Sequence, residues 1–270
     1  MKIKHIRYTL LLPLLLLLIS CDMEQEVEVK LPPHDSQLVV ECYLEPGKPL
    51  RAVVLESVSY FNDPQLPLVP DAEVYITHKG QTVKLAFSPF QDRKTGKYFT
   101  HRYNKPFDLK AGDVVTIEVK DKKDRRVTGS TTILKRVPIE AVEWKFNEKE
   151  KAYLLTSFQD DSEVENYYRY MTHRDSLGHG TQRDFVSNDQ LTNGKRVSFG
   201  SAYDYEKGDT LIVSLYHIEQ EYYDFLNSIS DAKNANGNPF AQPSRIVSSV
   251  EGGIGIFTNL AYDRKTVIIQ

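Results

Sequence analysis

The chain has little with which to cross-link itself, since its 270 residues carry two cysteines, Cys21 and Cys42. If Cys21 is used for another purpose, no intrachain disulfide can form, and stability must come from a packed core. Tryptophan is nearly absent too, with Trp144 alone, yet 16 Tyr and 12 Phe supply large apolar surfaces to bury. No Gly-x-Ser-x-Gly elbow occurs, so a serine hydrolase has no sequence signature here. No helical His pair with an intervening Glu occurs either, and no cofactor motif is found. The longest basic run is Lys122-Lys123 with Arg125-Arg126, in an expected hairpin turn. That is too little positive charge for a nucleic-acid partner. We therefore expect no enzyme, no catalytic residues, no metal and no cofactor.

A long apolar run is present once. Lys2, Lys4 and Arg7 precede an uncharged stretch from Leu10 to Ile19, the order of an export signal. Ten residues are too few to cross a bilayer, which needs about 18 to 20. The stretch ends in Leu18-Ile19-Ser20-Cys21, which resembles the lipobox of bacterial lipoproteins. There a small residue precedes a cysteine that takes a lipid on its thiol and becomes the new N-terminus. Residues 1–20 are thus expected to be a signal peptide, and Cys21 the lipid attachment site holding the protein to the outer membrane. Residues 21–36 read as an acidic tether. Asp22, Glu24, Glu26 and Glu28 resemble the acidic segment that directs Bacteroidota lipoproteins to the cell surface, and the same composition makes a solvated linker. Cleavage would remove three of the 34 basic residues and none of the 37 acidic ones, leaving a net charge of about −6.

From residue 37 onward, apolar runs of period two alternate with Gly, Pro, Asn and Asp clusters, the pattern of successive strands. Strands are expected near 37–44, 51–60, 72–78, 81–87, 97–103, 113–120 and 126–134. After Pro138 they resume near 139–147, 151–159, 166–174, 182–187, 195–200 and 210–217. Tyr222, Phe225, Leu226 and Ile229 then recur at helical spacing, predicting one short helix over 219–231 that covers the second sheet. The tail returns to strand at 245–250, 253–258 and 261–269. The expected fold is all-β, an immunoglobulin-like β-sandwich arrangement in two tandem domains, 37–137 and 138–270. Cys42 falls on the inward face of the first strand and reads as a core residue.

The segments Leu31-Pro32-Pro33 with Leu38-Val39-Val40-Glu41, Phe158-Gln159-Asp160-Asp161 with Asn166-Tyr167-Tyr168-Arg169, and Gly237-Asn238-Pro239-Phe240 with Gly252-Gly253-Ile254-Gly255-Ile256-Phe257 occur in that order. In this combination the chain resembles the Bacteroidota lipoproteins grouped as domain of unknown function 4249 (DUF4249). The resemblance implies an all-β envelope protein encoded beside TonB-dependent outer-membrane receptors, and no assigned activity.

Several clusters invite a sharper reading. Gly252, Gly253 and Gly255 are followed by a strand, not the helix a phosphate loop requires, so a glycine-bent strand or close backbone packing is expected. Asp160, Asp161, Glu163 and Glu165 offer oxygen ligands without the spacing of a calcium loop, and read as a solvated turn. His173 and His179, with Asp184 nearby, read as exposed polar residues rather than metal ligands. Phe240 reads as a plug for the domain. Tyr60 and Phe61, before the proline-rich loop 62–70, and Tyr203 and Tyr205 are the candidate ligand-binding residues. Aromatic rings beside Asp and Asn suit a glycan or peptide ligand. The expected function is a non-enzymatic binding or accessory lipoprotein working with a TonB-dependent receptor in nutrient uptake. The alternatives are a pilin-like structural or adhesive surface protein and, third, an envelope glycan or peptide hydrolase.

Overall fold

The computed structural model describes residues 35–59, 66–235 and 244–270, and Ser36–Gln270 form one compact unit. Cys21, Tyr60, Phe61 and Phe240 lie outside the described residues.

Alternation builds the first seven strands: β1 (Leu38–Leu44), β2 (Pro49–Glu56), β3 (Glu73–His78), β4 (Gln81–Gln91), β5 (Tyr98–Pro106), β6 (Val114–Lys120) and β7 (Arg126–Thr132). Along β1, Leu38, Val40, Cys42 and Leu44 are buried while the residues between them face partly outward. Each of the three aliphatic side chains contributes about 1.5–3 kcal/mol by leaving water. Cys42 is a core residue as expected, and burial pushes its thiol up to about 12. The β3–β4 hairpin turns through Lys79 and Gly80, both at positive φ, which is what a two-residue loop needs to match the strand twist.

The first sheet runs β14-β7-β6-β3-β4-β5-β2-β1-β15, with β14 (Val250–Glu251) and β15 (Ile254–Asn259) coming from the far end of the chain. β14 pairs antiparallel with β7, and β15 pairs parallel with β1. One continuous segment therefore straps the two edges of a nine-stranded sheet together and nearly closes it into a barrel. The corner is made of glycine because nothing larger fits. A Cβ on Gly252 would lie 2.1 Å from the Arg126 carbonyl oxygen, and one on Gly253 would lie 2.6 Å from that of Leu38. This is the close backbone packing expected of those glycines, and no helix follows them.

The second body is a sandwich. β8 (Ala141–Phe146), β9 (Ala152–Gln159) and β12 (Arg196–Gly200) form one sheet, ordered β12-β9-β8. β10 (Tyr167–Arg174), β11 (Thr181–Asn188), β13 (Thr210–Ile218) and β16 (Ala261–Ile268) form the other, ordered β11-β10-β13-β16. Leu154, Phe158, Tyr170, Leu211, Val213 and Leu215 fill the space between them. Their helix, α1 (Gln220–Ala235), buries Tyr222, Phe225 and Ser228 and packs on β10, β11 and β15. The Glu219 carbonyl accepts the first helical N–H bonds, from Tyr222 and Tyr223. Its carboxylate reaches away to accept from Thr131, the Thr132 amide and Thr258, which fixes the helix start against β7 and β15.

Among the described residues the fold is all-β with one short helix near the C-terminus, and three apolar clusters form: one mainly from residues before 137, one from residues after it, and one where α1 meets β13 and β15. Sequence order does not divide them cleanly, because β14 and β15 return to complete the first sheet. The single stretch expected as strand over 245–250 forms only at Val250, where a pairing edge on β7 exists.

Candidate functional site

Tyr203 and Tyr205 are two residues apart but occupy different environments. Tyr203 is 47% exposed and stands edge-on to Tyr153, with ring centroids 5.3 Å apart. Tyr205 is wholly buried and its hydroxyl pairs with that of Thr172 at 2.9 Å, so it is a core residue and offers no face to a ligand. A backbone bridge to Ala152 draws it inward.

The acidic turn is likewise more built than a solvated one. Asp160 is buried, accepting from the Tyr168 hydroxyl at 2.6 Å and from the Gly194 amide at 2.7 Å. Those bonds tie the β9–β10 turn to the loop before β12. His173 is buried, not exposed, while His179 is exposed. Asp184 pairs with Arg169 at 2.6 Å. No group of three or more His, Cys, Asp or Glu side chains among the described residues is arranged to hold a metal.

What the fold does assemble is a basic cleft between the β1–β2–β5 face and the β10–β13–β16 sheet. An inner cavity of about 200 Å³ is lined by Tyr43, Lys97, Arg169, His173, Tyr216 and Arg264 among others. It shares Glu45, Arg51, Thr95, Leu177, Tyr262 and Arg264 with an outer vestibule of about 700 Å³. The lip is formed by two turns in close approach, since a Cβ on Gly178 would lie 3.3 Å from the Lys94 carbonyl oxygen.

Five of the six contacts between a cation and an aromatic ring among the described residues lie in this cleft. Arg51 sits over Phe99 at 4.7 Å, Lys97 over Tyr43 at 5.0 Å, Arg102 over Phe90 at 5.0 Å, Arg264 over Tyr262 at 4.5 Å and Arg169 over Tyr222 at 5.9 Å. A ring face holds a cation in place with about 0.5–1 kcal/mol but does not neutralise it. Carboxylates do neutralise two of them: Arg51 pairs with Glu45 and Asp92, and Arg169 with Asp184. Lys97, Arg102 and Arg264, with Lys48, Arg93 and Lys94 at the vestibule, have no ion-pair partner among the described residues. Arg264 is further fixed by donating from Nε to Ser214 Oγ and from Nη2 to the Tyr216 hydroxyl, both at 2.8 Å.

Burial shifts the titrating groups here. It lowers the pKa of His173, and Arg264 and Arg169 act in the same direction against Asp184. The buried Nδ1 of His173 has no hydrogen-bond partner. Lys97 is an exposed residue, yet desolvation lowers its pKa, helped by Arg169 and opposed by Glu41 and Glu45.

Sequence reading missed this site because its cations come from β2, the β4–β5 turn, β5, β10 and β16. No window of sequence contains more than Arg93-Lys94 and Lys97. The weak signal available was that hairpin tip, Asp92-Arg93-Lys94-Thr95-Gly96-Lys97, where three cations meet one acid.

Among curated proteins, none matches this chain. Among solved structures, one described as "Cytokine receptor complex - Crystal form 1A" is similar at 9% identity with a TM-score of 0.28, covering 68% of this chain and 86% of that one. The family model described as Domain of unknown function (DUF4249) matches residues 24–266, and the chain belongs to that family.

Proposed function

We propose that this protein is a non-enzymatic binding module of the bacterial outer membrane, anchored by lipid on Cys21, that serves a TonB-dependent receptor in nutrient uptake and seats its ligand in the inter-sheet cleft. One observation supports the binding reading above the others: six cationic side chains without an ion-pair partner among the described residues line the inner cavity and its vestibule. A cleft lined by charges of one sign focuses the field and raises the local concentration of ligands of opposite sign. The address rests on the basic start, the short apolar run and Ser20-Cys21.

Solubilising outer membranes in mild detergent and capturing the full chain tests the assignment. A large β-barrel receptor should come down with it, and Cys21→Ser should release the protein from membranes. Recovery of the chain alone, or a Cys21→Ser product that stays membrane-bound, would overturn it.

A further inference from the structure

We infer that the cleft binds a small polyanion, with one oxyanionic group, carboxylate or phosphate, seated in the inner cavity against Lys97, Arg264 and His173. This rests on reading the cleft as the ligand seat, and it adds the chemistry of what is seated.

The sign of the ligand follows from the charge census of the walls. Lys97 and Arg264 reach the inner cavity from opposite faces, and neither forms an ion pair among the described residues, although Glu41 and Glu45 act on Lys97 at longer range. Arg264 has Nε and Nη2 occupied by hydroxyls, so its fork is fixed in orientation while Nη1 is left without a protein partner. A guanidinium fixed in orientation with one edge left open is what oxyanion recognition uses. His173, 6% exposed and with no side-chain hydrogen bond to any described residue, adds a donor that costs no charge when it is neutral.

The size of the ligand follows from the volumes. About 200 Å³ admits a single oxyanionic group with a few attached atoms, and the vestibule of about 700 Å³ continues outward past Arg102, Arg93 and Lys94. A ligand reaching both sets of cations carries at least two negative groups. A long polyanion is a poor match, because the chain as a whole is net negative and would repel it outside the cleft. The two carboxylates that line the cleft, Glu45 and Asp92, are both paired with Arg51, and six other cations along it have no ion-pair partner among the described residues.

Calorimetric titration of the full chain, purified in detergent, tests this with citrate, pyrophosphate and sulfate, and with maltotriose as a neutral counterpart. Citrate or pyrophosphate should bind, each more weakly as salt is raised, and the preferred one of the two identifies carboxylate or phosphate as the natural group. Lys97→Gln and Arg264→Gln should each weaken binding roughly tenfold, whereas Lys122→Gln, on the β6–β7 turn, should leave it unchanged. The Lys97 side chain makes no hydrogen bond or ion pair among the described residues and one contact with the Tyr43 ring, so its variant should stay close to the parent's melting temperature even if Arg264→Gln does not. Absence of anion binding, or anion binding indifferent to Lys97→Gln, overturns the inference. Maltotriose binding in preference to every anion would also overturn it while leaving the cleft a ligand seat, and receptor capture stands or falls separately.

Discussion

Gly255 lies beside Val40 so closely that a Cβ on the glycine would stand 1.9 Å from the Val40 carbonyl oxygen. The two residues are partners in the parallel β1–β15 ladder, and Gly255 holds a φ of 136° that other residues rarely adopt. Backbone atoms cannot yield as a flexible side chain can. Gly255→Ala should therefore force β15 away from β1, opening the strap on the nine-stranded sheet, at a cost of about 3 kcal/mol or more. Gly47→Ala is the comparison, because nothing lies within 4 Å of its Cβ position and only its φ of 75° is unfavourable, worth about 1–2 kcal/mol. Urea unfolding of both variants checks the ordering, and equal midpoints would show that the corner is not under steric constraint.

Truncating Tyr205 should be far more damaging than truncating Tyr203. Tyr205 fills the sandwich core and its hydroxyl pairs with Thr172, so Tyr205→Ala should cost about 3–5 kcal/mol in cavity and lost packing. Tyr203→Ala removes a half-exposed ring and one edge contact with Tyr153, worth about 0.5–1.5 kcal/mol. Thermal unfolding separates them, and comparable losses would contradict the inward placement of Tyr205.

The contrast between these tyrosines shows what the sequence made legible. Strand spans were readable because burial writes itself locally: Leu38, Val40, Cys42 and Leu44 alternate along β1, and the Tyr222, Phe225 stripe marks α1. The pattern reports which face of an element is apolar but not what lies opposite. Tyr205 follows Tyr203 in a short segment without period, so only its bridge to Ala152 decides its fate. The strap escaped for the same reason, since nothing local to Val250–Asn259 says that its partners are β7 and β1. The polar neighbours Arg174 and Asp175 give His173 the look of an exposed residue, whereas pairing across β10 and β13 sets it opposite Ile212 and under the cleft.

Acid should weaken the protein partly through Glu56. A hydrogen bond from Lys123 first, then one from Ser36, and Arg125 as well, hold this carboxyl down to about 2 from an ordinary 4.5. A depressed acid stabilises the fold above its unfolded pKa, and that contribution is lost as pH falls through the folded value. The window is therefore about 4.5 down to about 2. Because Lys123 is largely exposed, solvent screening keeps the contribution modest. Glu56→Gln should lower stability at neutral pH and make the remaining curve flatter across that window. A variant whose acid limb is as steep as the parent's would show that Glu56 carries none of it.

Affinity of the cleft for an anion should rise as pH falls, with His173 as the titrating group. In the free protein burial depresses its pKa, Arg264 on β16 and Arg169 on its own strand oppose the imidazolium, and Asp184 on β11 favours it. From the facing β1–β2–β5 surface, Lys97 and Arg51 share the cavity with it, countered by Glu45. The ring is thus neutral near pH 7. An oxyanion seated beside it supplies the missing negative charge and raises its pKa, so protonation and binding reinforce one another as linked equilibria. Binding should tighten as pH falls through the range in which a histidine titrates, by at most tenfold per pH unit for one proton. Sulfate is the suitable probe because its own charge stays fixed from about pH 5 to 8, the range in which a histidine titrates. His173→Gln should keep a measurable affinity through Lys97 and Arg264 but lose the pH dependence. If the slope survives in that variant, the proton is taken up elsewhere, and His173 is not part of the anion seat.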